Sequence, residues 1–231
     1  MDNMKHLVDY IIESDMPDVS ESIKISESIK HLPPKTTGII VFDIDDTLLK
    51  ADSDTIKIYK RKPGEKEIAL STEEFANDPD INDPAHKSWY DYRDFEDPQK
   101  VYKSIIQGTP LIRNLRIMDS YLDAGYEFCF LTARGCEEVV KDAIDDFLLT
   151  RNKNGVLKEL GSIFNKALSH AVNDAVKQYA GKTDGDKKAN ILIDLCKKYD
   201  RVVFVDDDKK NVRAAKDLQL DNLTVIKAWA D

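Results

Sequence analysis

The sequence predicts an α/β fold, a doubly wound parallel sheet carrying an insertion after its first strand, and three observations predict it. Short, near-continuous apolar runs rich in β-branched residues recur at 38–42 (GIIVF), 126–132 (YEFCFLT) and 201–207 (RVVFVDD), the pattern of strands covered on both faces. Helical patterns separate or follow them, at 137–149 (EEVVKDAIDDFLL), 187–199 (KKANILIDLCKKY) and 210–218 (KNVRAAKDL). Each apolar run ends abruptly in polar side chains, as strands do where open parallel sheets bind ligands.

Taken in order, residues 1–38 read as an N-terminal extension packing on the core. An amphipathic stretch around Leu7, Val8, Ile11 and Ile12 leads into a near repeat, SESIK at 20–24 and 26–30, whose isoleucines fit helix and strand equally well. Pro33-Pro34 closes it. The core is 39–50 and 111–231. Between its two parts, 51–110 breaks the strand–helix rhythm with five prolines and a run of aromatics, and is too long for a βα loop, so it is an insertion with its own structure. The stretch 151–186 is helical in flavour, through Ile163, Phe164, Leu168, Val172 and Val176, and reads as packing or lid support.

The chain of 231 residues has 42% hydrophobic and 33% charged residues, an ordinary globular composition. A formal net charge of −9 without a long basic run argues against a broad grip on nucleic-acid phosphates or an anionic membrane. No apolar run approaches the roughly 20 residues that span a bilayer. The first residues lack a basic n-region followed by an apolar stretch, so the expected location is cytoplasmic, with export by a signal-independent route left open. Cys129, Cys136 and Cys196 show no CxxC spacing and read as reduced thiols. His6, His31, His86 and His170 offer no zinc spacing, and neither GxxxxGK[ST] nor GxGxxG is present.

The strand ends bring together Asp43, Asp45, Thr132, Asp206 and Asp207. Carboxylates converging on one sheet edge repel one another unless a cation joins them, so the pattern asks for a metal. FDIDDT at 42–47, FLTAR at 130–134, the lysines 187–188 and FVDDDKKN at 204–211 resemble, in order, the four motifs of the haloacid dehalogenase (HAD) superfamily, with a narrower similarity to uncharacterised bacterial HAD-type proteins.

What that resemblance implies is a magnesium-dependent phosphomonoester hydrolase. Asp43 would be the nucleophile that takes the phosphoryl group, and Asp45 would protonate the leaving oxygen and later deprotonate water. An Asp at position 45 directs the reading to phosphatase or phosphomutase. Thr132 would hydrogen-bond the transferring group, and Arg134 would contact phosphate or substrate. Lys187 and Lys188 compete for the role of the motif lysine; Lys188 lies one turn before Leu192 on the apolar stripe and is favoured. Asp43, the backbone carbonyl of Asp45, and Asp207 would hold Mg2+, with Asp206 as its outer partner. Asp208 reads as solvated, and Asn211 either orients the loop or caps the next helix.

The insertion would stand over the site as a cap. Its cluster Trp89, Tyr90, Tyr92 and Phe95, beside His86, Lys87 and Arg93, suits a flat leaving group next to an anion, hence aryl phosphates or protein phosphotyrosine; alternatively these rings form the insertion's own core. The partner is therefore a phosphorylated small molecule or phosphoprotein. Other functions compatible with the motifs are phosphomutase, nucleic-acid end phosphatase and a non-catalytic HAD-fold binding protein.

Overall fold

The computed structural model describes residues 37–52, 54–81, 83–151, 168–171 and 179–229. All of them belong to one compact unit, 37–231. The expectation that the N-terminal extension packs on the core thus lies, up to Thr36, outside the described residues.

In chain order the elements are β1 (Gly38–Phe42), β2 (Leu49–Lys50), β3 (Ile58–Lys60), β4 (Ile68–Leu70), α1 (Thr72–Ala76), β5 (Tyr90–Asp91), α2 (Pro98–Ile106), β6 (Thr109–Pro110), α3 (Ile112–Asp123), β7 (Glu127–Thr132), α4 (Glu137–Arg151), β8 (Leu168–Ala171), α5 (Asp184–Lys198), β9 (Arg201–Asp206), α6 (Lys209–Asp217) and β10 (Leu223–Lys227). Short 3₁₀ turns at Pro84–Trp89 and Arg93–Phe95 flank β5.

Among the described residues the central sheet has five strands in the order β10-β9-β1-β7-β8, and every neighbouring pair is parallel. β1 is buried at every residue because it lies in the middle and is covered on both faces, which is why its sequence is continuously apolar rather than alternating. Ile39 and Val41, with Cys129, Leu131, Val202 and Phe204, share one core cluster with Ile191, Leu192 and Leu195 of α5 and Ala215 of α6. Side chains alternate across a strand, so Ile40, Phe42, Phe128 and Phe130 form the opposite buried face. Phe128 meets Phe130 edge-on at 4.4 Å.

From β1 the chain builds outward to β7 and β8, then returns to add β9 and β10 on the other side of β1. The strand order therefore reverses between β1 and β9, the point at which open α/β sheets leave a crevice at their carboxyl ends. Helix α5 begins beside that crevice and is set by a capping box: Thr183 Oγ1 accepts from the Asp186 N–H while Asp186 accepts from the Thr183 N–H. Gly185 allows α5 and α6 to approach, since a Cβ there would stand 3.2 Å from Asn211 Oδ1.

The helical flavour of 151–186 does not hold at Leu168–Ala171, which forms the edge strand β8 on β7. Four residues are too few to carry a period, and the backbone hydrogen bonds offered by the open edge of β7 decide the conformation. Residues 152–167 and 172–178 lie outside the described residues.

Residues 51–110 leave and rejoin the core at one place, because β2 pairs antiparallel with β6, Leu49 opposite Pro110 and Lys50 opposite Thr109. Between these ends stands a separate antiparallel sheet, β4-β3-β5. It is pinned by Lys60, 5% exposed, whose ammonium donates to both Asp78 oxygens at 2.6 and 2.5 Å and to Asp80 at 2.7 Å. Lys62 also pairs with Asp80, and the hydrogen bonds from the two lysines hold the Asp80 carboxyl down at about 2. Phe75 packs edge-on to Tyr90 and Tyr92 at 5.2 and 5.7 Å.

Candidate active site

The turn after β1 places the first acids. Asp43 continues the β1–β9 ladder by donating its N–H to the Val205 carbonyl at 3.0 Å. The chain then turns sharply: the N–H groups of Thr47, Leu48 and Leu49 all point at the Ile44 carbonyl, and Asp46 adopts φ +54°, a left-handed conformation that Asp tolerates better than most residues. Asp43 thereby faces the end of β9, and Asp45 faces the turn that follows β7.

Lys188 is the lysine brought into this cluster. It is 2% exposed, and its ammonium lies 2.7 Å from Asp43 Oδ1 and 2.7 Å from Asp206 Oδ2. Burial alone would strip its proton; the charges of Asp43 and Asp206 outweigh this and push its pKa up. Lys187 points elsewhere and pairs with Asp184 at 3.3 Å, at the outer end of the same helix.

Asp206 is fully buried and heavily occupied, with Asn211 Nδ2 donating to both its oxygens and the Asp208 N–H donating to Oδ1 at 2.8 Å. Of the two roles open to Asn211, the structure shows the hold on Asp206. The cap of α6 is Asp208, which accepts from the Lys210 N–H. Asp207 is less encumbered: Thr47 donates to its Oδ1 at 3.1 Å and receives its backbone N–H at 3.0 Å. Thr47 is itself located by Asn114, whose side-chain amide donates to the Thr47 carbonyl at 2.8 Å and exchanges hydrogen bonds with the Trp229 backbone.

Asp43, Asp206 and Asp207 each offer an oxygen within 4.8 Å of the others. Burial, opposed by Lys188 and reinforced by Asp206 and Asp45, raises the Asp43 carboxyl well above the usual range. Burial, then Asp206 and Asp46, push Asp207 up to about 6. Four carboxylates, with Asp45 included, meet two cations, Lys188 and Arg134, so two negative charges stay uncompensated when all are ionised. A divalent cation fits that deficit, and a ligand set made only of oxygens suits a hard ion rather than zinc.

Thr132 ends β7 fully buried, and its hydroxyl accepts the Arg134 N–H at 3.2 Å, which leaves its own proton to donate. Arg134 differs from its expected role as a phosphate contact. It is 1% exposed, its Nε and Nη2 grip the two Asp45 oxygens at 2.8 and 2.6 Å, and Nη1 donates to Ser104 of α2 at 2.7 Å. The fork is turned inward because a buried guanidinium must spend its donors on partners.

Trp89 also differs from its expected place against substrate. Its ring stacks on His86 at 3.6 Å, with the Lys62 ammonium 5.5 Å from its centroid, so it helps assemble the insertion. The insertion meets the core through other residues. Phe95 lies 5.8 Å from the Arg134 guanidinium, and Cys136 Sγ bonds to the Glu96 carbonyl. Tyr92 is 41% exposed and packs against Phe95, and burial first, then Tyr90 and Asp184 at the start of α5, raise its phenol.

Sequence reasoning counted Thr47 within the acid-rich motif but gave it no role, and it did not single out Ser104, Asn114 or the inward use of Arg134. Thr47 carried a signal, since it lies in the same acid-rich turn as Asp43. Ser104 and Asn114 carried none, being ordinary polar residues on helices. No family model and no curated protein matches this chain.

Proposed function

We propose that the protein is a magnesium-dependent phosphomonoester hydrolase that works through an aspartyl-phosphate formed on Asp43. One observation carries the reading. A fully enclosed lysine joins Asp43 and Asp206 at the sheet's switch point, with the half-exposed carboxylate of Asp45 two residues from Asp43. A purely structural cluster has no use for so many acids around one crevice, whereas phosphoryl transfer needs a nucleophile, a proton carrier and concentrated positive charge.

Asp43 attacks phosphorus, forming an O–P bond as the ester P–O bond breaks, and Asp45 gives its proton to the departing oxygen. Water then attacks the phosphorylated Asp43 and yields its proton to Asp45, releasing inorganic phosphate. Lys188 holds the nucleophile and faces the phosphoryl charge, and the free hydroxyl proton of Thr132 is available to a phosphoryl oxygen. Asp43, Asp207 and the Asp45 carbonyl would hold Mg2+, with Asp206 behind them. When bound, the ion supplies charge that neutralises the carboxylates and the phosphate. The Phe95 ring lies 5.8 Å from the guanidinium that holds Asp45, with Tyr92 packed on it, and aromatic surface beside the proton donor would favour aryl phosphates, including phosphotyrosine in an accessible protein segment.

The test is hydrolysis of p-nitrophenyl phosphate with magnesium, abolished by chelation and poorly restored by calcium, whose longer and more numerous oxygen bonds disturb in-line attack. Asp207→Ala should raise the half-saturating magnesium concentration at least about tenfold. Asp206→Ala should act mainly on turnover, by freeing Lys188. Equal rates with calcium, or no turnover on any phosphomonoester, would refute the proposal.

A further inference from the structure

We infer that Arg134 is the positioning residue for Asp45, and that through Ser104 and Phe95 it makes protonation of the leaving group depend on how the insertion is seated against the core. The inference rests on the hydrolase reading above.

The geometry of the pair separates this role from a phosphate contact. The Arg134 side chain is 1% exposed whereas that of Asp45 is 34% exposed, so it is the carboxylate that faces the crevice, with the guanidinium behind it. Nε and Nη2 take one lone pair on each Asp45 oxygen, at 2.8 and 2.6 Å. A carboxylate has about four such lone-pair sites, so one on each oxygen stays open toward substrate. The planar fork also fixes the plane of the carboxylate, which a single ammonium cannot do.

The remaining contacts reach into the insertion. Nη1 donates to Ser104 Oγ at 2.7 Å, and that hydroxyl is committed as an acceptor because its own proton goes to the Val101 carbonyl at 2.9 Å within α2. Phe95 places its ring 5.8 Å from the guanidinium carbon. The Arg134 backbone N–H, 3.2 Å from Thr132 Oγ1, ties the same residue to the end of β7. A shift of α2 or of the Phe95 turn moves the guanidinium, and the guanidinium carries the Asp45 carboxylate with it.

The step affected is transfer of the Asp45 proton to the ester oxygen as the P–O bond breaks and the Asp43–phosphorus bond forms. Esters differ in how much they need that proton. An alkoxide cannot leave without it, whereas p-nitrophenolate leaves unaided. Single-turnover release of the leaving group, with enzyme in excess, from a series running from p-nitrophenyl through phenyl to alkyl phosphates therefore reads the position of Asp45 directly.

Wild-type protein should show a shallow dependence on leaving-group basicity. Arg134→Gln should steepen it, losing about 10²-fold on the alkyl ester and less than about fivefold on the p-nitrophenyl ester. Arg134→Lys should recover little of the alkyl activity. Ser104→Ala, which keeps the buried ion pair and so guards against a folding defect in the arginine variants, should steepen the series to an intermediate degree. The inference is overturned if the arginine variants raise KM equally for all esters with the saturating single-turnover rate unchanged, as loss of a phosphate contact would. It is equally overturned if Ser104→Ala leaves the slope at the wild-type value. Wild-type protein inert toward every ester would instead remove the hydrolase reading itself, and this inference with it.

Discussion

In the proposed reaction Asp43 would face opposing demands, since attack on phosphorus needs an anion while burial favours the neutral acid. Lys188, 2.7 Å from Asp43, and a bound cation would reconcile them. We predict that Asp43→Asn lowers turnover at least about 10³-fold while circular dichroism and thermal midpoint stay near wild type, because Lys188 keeps Asp206 as its partner. Asp207 supplies a pH test. Its folded value of about 6 lies above its ordinary 3.8, so the folded protein binds the extra proton and the metal-free chain loses stability as pH rises through that window. The ceiling is about 3 kcal/mol, reduced by partial exposure. Burial raises Asp43, Asp46 and Asp145 in the same sense, whereas carboxyls such as Asp80 are shifted the opposite way and lose their contribution only in stronger acid. Hence the metal-free midpoint should fall by a few degrees between pH 4.5 and 7, and Asp207→Asn should remove a part of that fall, the rest belonging to Asp43 and the other raised carboxyls. Magnesium should stabilise most above pH 6. An identical pH profile in wild type and Asp207→Asn would contradict the assignment.

At the scale of elements, α5 does two jobs with one face. Leu192 and Leu195 bury against the sheet, and Lys188, one turn earlier, falls on the same stripe but beyond the end of β1, where the core gives way to carboxylates. Its capping box is therefore tied to the site: Thr183→Ala should cost about 1 kcal/mol in urea unfolding and slow turnover by loosening the turn before Lys188. Unchanged stability would show that the cap is immaterial. In the insertion, Trp89 is committed to His86 and Lys62 while Tyr92 and Phe95 approach the core. Trp89→Ala should lower stability by about 1–2 kcal/mol with little change in the ratio of aryl to alkyl phosphate hydrolysis, whereas Tyr92→Ala should reduce that ratio several-fold. The reverse pattern would return Trp89 to the substrate.

Over the whole unit of 37–231, the position of the crevice follows from strand order. Because β9 returns beside β1, the acids after these two strands stand together although about 160 residues separate them, as in the contact of Thr47 with Asp207. The insertion joins the core at one antiparallel pair, β2 with β6, so its contacts at Ser104, Phe95 and Glu96 decide how it meets the strand ends. Among the described residues, no helix is long and apolar enough to cross a membrane.

The sequence by itself determined the parallel α/β class, the strands at 38–42, 127–132 and 201–206, and the clustering of Asp43, Asp45, Asp206 and Asp207, because a strand covered on both faces must be apolar throughout and must end where polar groups begin. It also favoured Lys188 over Lys187, since helical periodicity distinguishes an inward from an outward neighbour. What only the tertiary structure decided are partnerships. Arg134 turns to Asp45 and Ser104 rather than to solvent, Trp89 stacks on His86, and Leu168–Ala171 becomes an edge strand. Local patterns report how much of a segment is buried, but a hydrogen-bond fork, a stacked ring or a strand edge is satisfied by whichever group the fold brings within about 3–4 Å; for Arg134 and for β8 that group lies far away in the chain, and for Trp89 it is a neighbour on its own 3₁₀ turn that no apolar pattern marks.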